Sequence, residues 1–262
     1  LFFSGPLPFM PYRLQQDEPL DAGIKRVAEE QVTAAISHLQ SHNFYQARKN
    51  LKKVRAILRL LKPRLGPVYQ EDNRRMRDAA RRFSASRDAD VSLEVLETFA
   101  PHYRRQSTLD PQRKALREKR QPVDPAESMQ ELDGTRKRIE DWPLHGLSMA
   151  LLEAQMAKTH RQSRHSFLHA RKSRTAEDFH EFRKSVKREV NQLRLLAPDE
   201  PKIRELKKLS DLLGDHHNLA VMLANLENSS GRFRQMARRK QREYEAQIVA
   251  LASDVLYSVS QP

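Results

Sequence analysis

Twenty residues of this chain occur twice. Sliding the 262-residue sequence on itself by 135 positions lays 44–63 on 179–198. Nine of the twenty pairs are identical, at Phe44, Arg48, Lys49, Lys52, Leu58, Arg59, Leu60, Leu61 and Pro63. Unrelated segments would share about one or two. A repeat near half the chain length means that one folding unit is built twice, so the element inside the repeat constrains the whole molecule. In the first copy the apolar positions Ala47, Leu51, Val54, Leu58 and Leu61 keep the 3.6-residue period, which predicts a helix over 44–61 that stops at Pro63.

The same period runs through the rest. It predicts helices over about 21–39, 67–99 with a break near 84–88, 144–171, 176–196, 203–226 with Gly214 inside, and 233–259. Only seven glycines are available for tight turns, which argues against a sheet. Between the two halves the composition turns charged and polar, with Pro111, Pro122, Pro125 and Gly134. The expected organisation is therefore a tail at 1–11, a first helical half at 12–103, a charged connector with one or two short helices at 104–141, and a second helical half at 142–262. The fold class expected is all-α: two four-helix bundles related by a pseudo-twofold.

Charge is concentrated on the repeated helix. In the first copy Arg48, Lys52, Arg55 and Arg59 stand at i, i+4, i+7 and i+11, with Lys49 and Lys53 beside them. In the second, His180, Arg183, Lys184, Lys187 and Arg194 share a face. Like charges so spaced repel by a few tenths of a kcal/mol per pair, a cost that an anion spanning several of them removes. Residues 44–82 hold 13 Lys and Arg against 3 acids, and 158–194 hold 11 against 4, giving +17 in these patches. The whole chain carries +14, so the remainder sums to −3. Arg74, Arg77 and Arg81 extend the first patch at helical spacing, Arg87 lies past the break, and Arg161 and Arg164 precede the second patch. A polyanionic partner is expected.

Other chemistries are poorly served. There is no cysteine, which removes disulfides, thiolate metal sites and cysteine nucleophiles. His165 and His169 have the i, i+4 spacing of a helical metal pair, yet no third ligand stands at a suitable distance. The sequence HEFRK at His180 lacks the second histidine of a zinc protease motif. His217 can join the basic patch, with His216 pointing away. The seven acids of the two patches form no cluster to hold a divalent ion, and no glycine-rich phosphate loop is present. A binding protein without metal or cofactor is expected, rather than an enzyme. No run is apolar enough for a membrane span, and the N-terminal LFFSGPLPFM lacks the basic start of a signal peptide, so the cytoplasm is the expected location.

Five segments in order, YRLQQDEPLDAGIKRVAEEQ (12–31), NFYQARKNLKKVRAILRLLKP (43–63), NRRMRDAARRFSASRDADV (73–91), EDFHEFRKSVKREV (177–190) and LSDLLGDHHNLAVM (209–222), resemble the CHAD family, the conserved histidine α-helical domain. The resemblance spans about 12–258. It implies a helical fold of two four-helix halves around a basic channel or groove, and binding of inorganic polyphosphate through Lys, Arg and His. Carried over by position, it implies roles for Arg48, Lys49, Lys52 and Lys53, for Arg77 and Arg87, and for His180, Arg183, Lys184, Lys187, Arg188 and His217. Arg161 and Arg164 stand where the family usually has a Tyr- and Arg-rich stretch. The chain departs from the pattern twice. Tyr45 occupies the first-half counterpart of His180, offering a hydrogen bond but no charge, and Asn218 replaces a usual acid. The partner the resemblance implies is polyphosphate, with proteins of polyphosphate granules beside it. A single-strand nucleic-acid binder is disfavoured because only 6% of residues are aromatic and few rings could stack on bases, while RNA or DNA held by its phosphates alone stays as the alternative.

Overall fold

The computed structural model describes residues 12–103, 106–119, 123–226 and 231–257, apart from the side chains of 85–87. Among these the chain forms ten α-helices and no strand. They are α1 (Leu20–Gln40), α2 (Phe44–Leu65), α3 (Pro67–Arg82), α4 (Ser84–Phe99), α5 (Asp110–Glu118), α6 (Ala126–Arg138), α7 (Met149–Ser173), α8 (Ala176–Leu196), α9 (Lys202–Asn225) and α10 (Gly231–Tyr257), with short 3-10 turns at Ala100–His102 and Gln106–Leu109. The fold is all-α, as expected. The expected tail at 1–11 lies outside the described residues.

Three boundaries differ from the sequence expectation. Pro63 does not stop α2, because so near the end its missing N–H costs only one bond in the last turn while buried Leu65 holds that turn in the core. The helix ends instead at Gly66, whose φ of +54° favours glycine. The stretch 67–99 is two helices, divided at Phe83, whose buried ring stacks on Phe44 with centroids 5.0 Å apart. At the start of α7, residues 144–148 are not helical: Gly146 takes φ +72° and the Ser148 side chain caps Leu151 N–H.

The repeated helices begin with matching devices. Asn43 caps α2 through Gln46 N–H at 3.2 Å, and Thr175 caps α8 through Asp178 N–H at 3.2 Å. Both helices also contribute to one apolar core. It takes Ile24, Val27 and Val32 from α1, Leu51, Ile57 and Leu58 from α2, Met76 from α3 and Leu195 from α8, all fully buried. α2 and α8 meet closely at Ala56, whose carbonyl accepts from Gln192 Nε2 at 3.3 Å. A second core lies under α7, α8, α9 and α10, around Phe167, Phe182, Leu209 and Ile248. A third joins α4, α5, α9 and α10 around Leu96, Leu116, Leu219 and Phe233.

The two halves diverge at their fourth helix. In the second half α10 closes a bundle with α7 and α9, whereas α4 crosses over to α9. The place against α1 and α3 is taken by α6, from the segment that sequence treats as connector. Leu132 of α6, Ile139 and Trp142 are buried in the first core. Asp72, 1% exposed on α3, ties them down by accepting from Trp142 Nε1 at 2.9 Å and Arg138 Nη2 at 3.2 Å.

α9 buries His216 against Phe179 of α8. Its ring is 1% exposed and lies 4.6 Å from that of Phe179, while Glu245 at 3.5 Å is too far for a good hydrogen bond. Burial keeps the imidazole neutral and lowers its pKa to about 4. The folded pKa is below the unfolded one, so the unfolded chain binds more protons and stability falls as pH drops from about 6.5 towards 4. Between pH 7 and 5 the native protein should lose about 2 kcal/mol more stability than a His216→Leu variant, which retains Glu245. Urea titrations at the two pH values check this; equal losses would contradict it.

Candidate anion-binding cleft

Cation stripes on α2 and α8 face each other across a cleft of ≈ 400 Å³. From α2 come Arg48, Lys52, Arg55 and Arg59; from α8 come His180, Arg183, Lys184, Lys187 and Arg188, followed by Asn191. The remaining walls are Asn73 of α3, Ser84 and Asp88 of α4, and His217 and Val221 of α9. Among the described residues, eight Lys and Arg thus share the lining with one carboxylate, Asp88. A second cavity of ≈ 250 Å³ adjoins the first, because Arg48, Lys52, Arg183 and Lys187 line both. Tyr45, Lys49, Ser210, Asp211, Gly214, Asp215 and Asn218 complete the second. The four shared cations, two from each copy of the repeat, stand where the two spaces meet.

Fixed partners hold several of these groups in place. Arg48 reaches the α3–α4 junction, donating to the Ala80 carbonyl and to Ser84 Oγ at 2.6 Å. Arg55 Nε donates to Asn73 Oδ1 at 3.1 Å. Arg183 packs over Gly214, where a Cβ would come within 3.8 Å of its Nε. The stripe is crowded, and its protonation shows it. Burial, with Arg59 and Arg55 adding repulsion, brings Arg188 down to about 10, and burial with Arg59 lowers Arg55 as well. Both remain cationic at neutral pH, so the cleft holds repulsion that an anion relieves. His180 and His217 meet with Nδ1 atoms 3.1 Å apart and ring centroids 4.2 Å apart. His180 is held below its ordinary value, first by burial and then by Lys184 and Arg183.

Eleven of the sequence candidates therefore line the two cavities: Tyr45, Arg48, Lys49, Lys52, Arg55, His180, Arg183, Lys184, Lys187, Arg188 and His217. Lys49 also lies 5.4 Å from the Tyr45 ring, and Lys184 pairs with Glu181 at 2.6 Å.

Five candidates line neither cavity. Lys53, one residue past Lys52, is turned about 100° round the helix towards α1, where Nζ donates to Gln31 Oε1 at 2.9 Å and lies 4.9 Å from the Tyr12 ring. Burial there, with Lys49 and Arg194 nearby, lowers it to about 8. Arg77 is exposed on α3 and paired with Asp78 at 2.9 Å. Arg81 is exposed on the same helix. Arg161 and Arg164 are exposed on α7, and Arg164 lies 4.2 Å from the Tyr257 ring of α10. The side chain of Arg87 lies outside the described residues.

Several lining residues escaped the sequence reading. Asn191 continues the α8 stripe four residues after Lys187 and was legible from that spacing. Asp211 and Asp215 were not, since nothing in a sequence of mixed charge shows that α9 turns these two carboxylates into a basic space. Burial and Asp211 raise the Asp215 pKa, and Arg183 offsets part of that rise.

Among described residues no group of three or more histidines, cysteines and carboxylates stands together as a metal would need. No described helix is long and apolar enough to cross a membrane. The arrangement suits an extended anion whose charges recur along its length, since one small ion could engage only a few of the eight cations. A comparison with curated proteins finds no match. The family model named CHAD domain matches residues 20–227, from the first residue of α1 to just beyond α9, and includes every helix that lines the two cavities; the chain belongs to the CHAD domain family.

Proposed function

We propose that this chain binds inorganic polyphosphate in the space between α2 and α8 and does not act on it chemically. One observation carries the reading: among the described residues, eight Lys and Arg from both copies of the repeat converge on one cleft, whose larger cavity holds a single carboxylate. A linear polyphosphate has one negative charge on each unit and no bases. A space lined by cations, with no Phe, Tyr or Trp ring in its larger cavity among the described residues, fits that chemistry better than single-stranded nucleic acid, which uses stacking platforms. Cleavage of phosphoanhydrides generally relies on carboxylates that hold metal ions beside the phosphates; Asp88 in the larger cavity and Asp211 with Asp215 in the second belong to no metal-holding group of three among the described residues, which supports binding without catalysis. Membership of the CHAD family supports the same ligand. Association with polyphosphate granules and their proteins would follow from it.

The test is thermal unfolding with long-chain polyphosphate, with orthophosphate at equal phosphate concentration, and with duplex RNA. A ligand at about 100 times its dissociation constant stabilises the folded state by about 2.7 kcal/mol, which for a chain of this size raises Tm by roughly 5–10 °C. Polyphosphate should do this and orthophosphate should shift Tm by less than a third as much. Equal shifts from orthophosphate, or larger ones from RNA, would reject the reading. Phosphate release with and without added Mg²⁺ tests the absence of catalysis.

A further inference from the structure

We propose that the cleft takes up protons together with its anion, through the His180–His217 pair, so that polyphosphate binds more tightly as pH falls from 8 to 6. The proposal rests on the polyphosphate reading and adds to it a regulation of the same site. It begins from the contact between the two Nδ1 atoms at 3.1 Å. At that distance one nitrogen donates its hydrogen to the lone pair of the other, since two N–H groups pointing at each other would repel. A charged imidazole carries hydrogens on both nitrogens, so in this arrangement the pair holds at most one positive charge.

The surroundings act in the same direction. On α8, Arg183 and Lys184 flank His180, and Lys52 faces it from α2. Glu181 opposes them, but it is occupied by Lys184 at 2.6 Å. His217 comes from α9, and α4 contributes Asp88 to the same cavity, while α3 contributes the neutral Asn73. Half-buried among these cations, His180 is held below its ordinary value.

A phosphate chain reverses each of these conditions. Its oxygens accept hydrogen bonds and do not donate them, and its charge offsets that of Lys52, Arg183 and Lys184. Both histidines can then gain a proton, part from each other and direct N–H groups at phosphate oxygens. By linkage, a group that holds its proton more tightly in the complex makes binding stronger as pH falls, by up to about tenfold per pH unit for each proton taken up. Asp215 in the second cavity, its pKa raised by burial and by Asp211, can add to uptake, and the histidine variants separate its share from theirs. Tyr45, the repeat counterpart of His180, lines the second cavity, so the histidine pair belongs to the first cavity alone.

The decisive measurement is calorimetric titration with long-chain polyphosphate near pH 6.5 in two buffers of different ionisation enthalpy. Long chains make the titration of their end groups negligible. The native protein should take up between about 0.5 and 2 protons per site, and its affinity should rise about tenfold between pH 7.5 and 6. In a His180→Asn, His217→Asn protein, or in either single variant if the double one does not fold, uptake should fall and the pH profile flatten. Tight binding by the native protein with no proton uptake would overturn the proposal and leave the polyphosphate reading standing. Uptake that is unchanged in folded variants would overturn it as well. Absence of binding at every pH would reject both.

Discussion

A Lys52→Glu, Lys187→Glu protein is expected to lose polyphosphate binding by a hundredfold or more while keeping its fold. These two residues come from opposite copies of the repeat, 135 positions apart, and both stand where the two cavities meet. Each loses a charge-assisted contact worth about 1.5–3 kcal/mol, so the pair costs about 3–6 kcal/mol before the added repulsion is counted. Arg48 would be a poorer choice, because its bonds to Ala80 and Ser84 also hold the α3–α4 junction. The control is Lys114→Glu, Arg117→Glu, on the exposed face of α5 and outside both cavities. It changes net charge by the same four units. Exposed charges are screened beyond about 8 Å at physiological ionic strength, so the control should lose less than about threefold at 150 mM salt. Similar losses in the two proteins would show that affinity follows net charge and that the cleft has no special part in it.

The largest effect on stability is expected at Asp72, through which α6 and the Trp142 segment are fastened to α3. Its carboxylate is buried, with one oxygen accepting from Trp142 and the other from Arg138. Burial raises the Asp72 pKa and the Trp142 hydrogen bond opposes the rise, which is the mark of a carboxylate held in the core by its donors. Asp72→Ala leaves the indole N–H without an acceptor in an apolar setting and should destabilise the protein by about 3–5 kcal/mol. Asp72→Asn keeps an acceptor oxygen and should cost less than half of that. Urea unfolding distinguishes them, and a cost near zero for Asp72→Ala would show that α6 is held by apolar packing alone.

Asp72 also shows why part of the fold was illegible. Helices with a buried apolar stripe were visible in the sequence because the period is local: α8 runs from Ala176 to Leu196, as its spacing predicts. Which helix fills the fourth place of a bundle is not a local property. Short helices were expected in 104–141 and α5 and α6 are there, but the polar content hid the part α6 takes in the core through Leu132, together with Ile139 and Trp142 just beyond it. The cleft follows the same logic. Cations spaced at i, i+4 and i+7 on the repeated helices could be placed on one face from sequence, and they converge. Identity of position between repeats was a weaker guide, since Arg188 lines the cleft while its counterpart Lys53 turns to Gln31 and Tyr12. Cations on other helices, Arg77, Arg161 and Arg164, share the net charge and not the location.

The central claim is that the anion lies between α2 and α8, and the most direct measurement is a crystal structure of the chain with polyphosphate bound. The account predicts a continuous run of phosphates that passes between Arg48 and Lys52 on one side and Arg183 and Lys187 on the other, reaching from the cavity of His180 into that of Tyr45. Phosphates ordered on the exposed arginines of α3 or α7, with the space between α2 and α8 holding none, would contradict it.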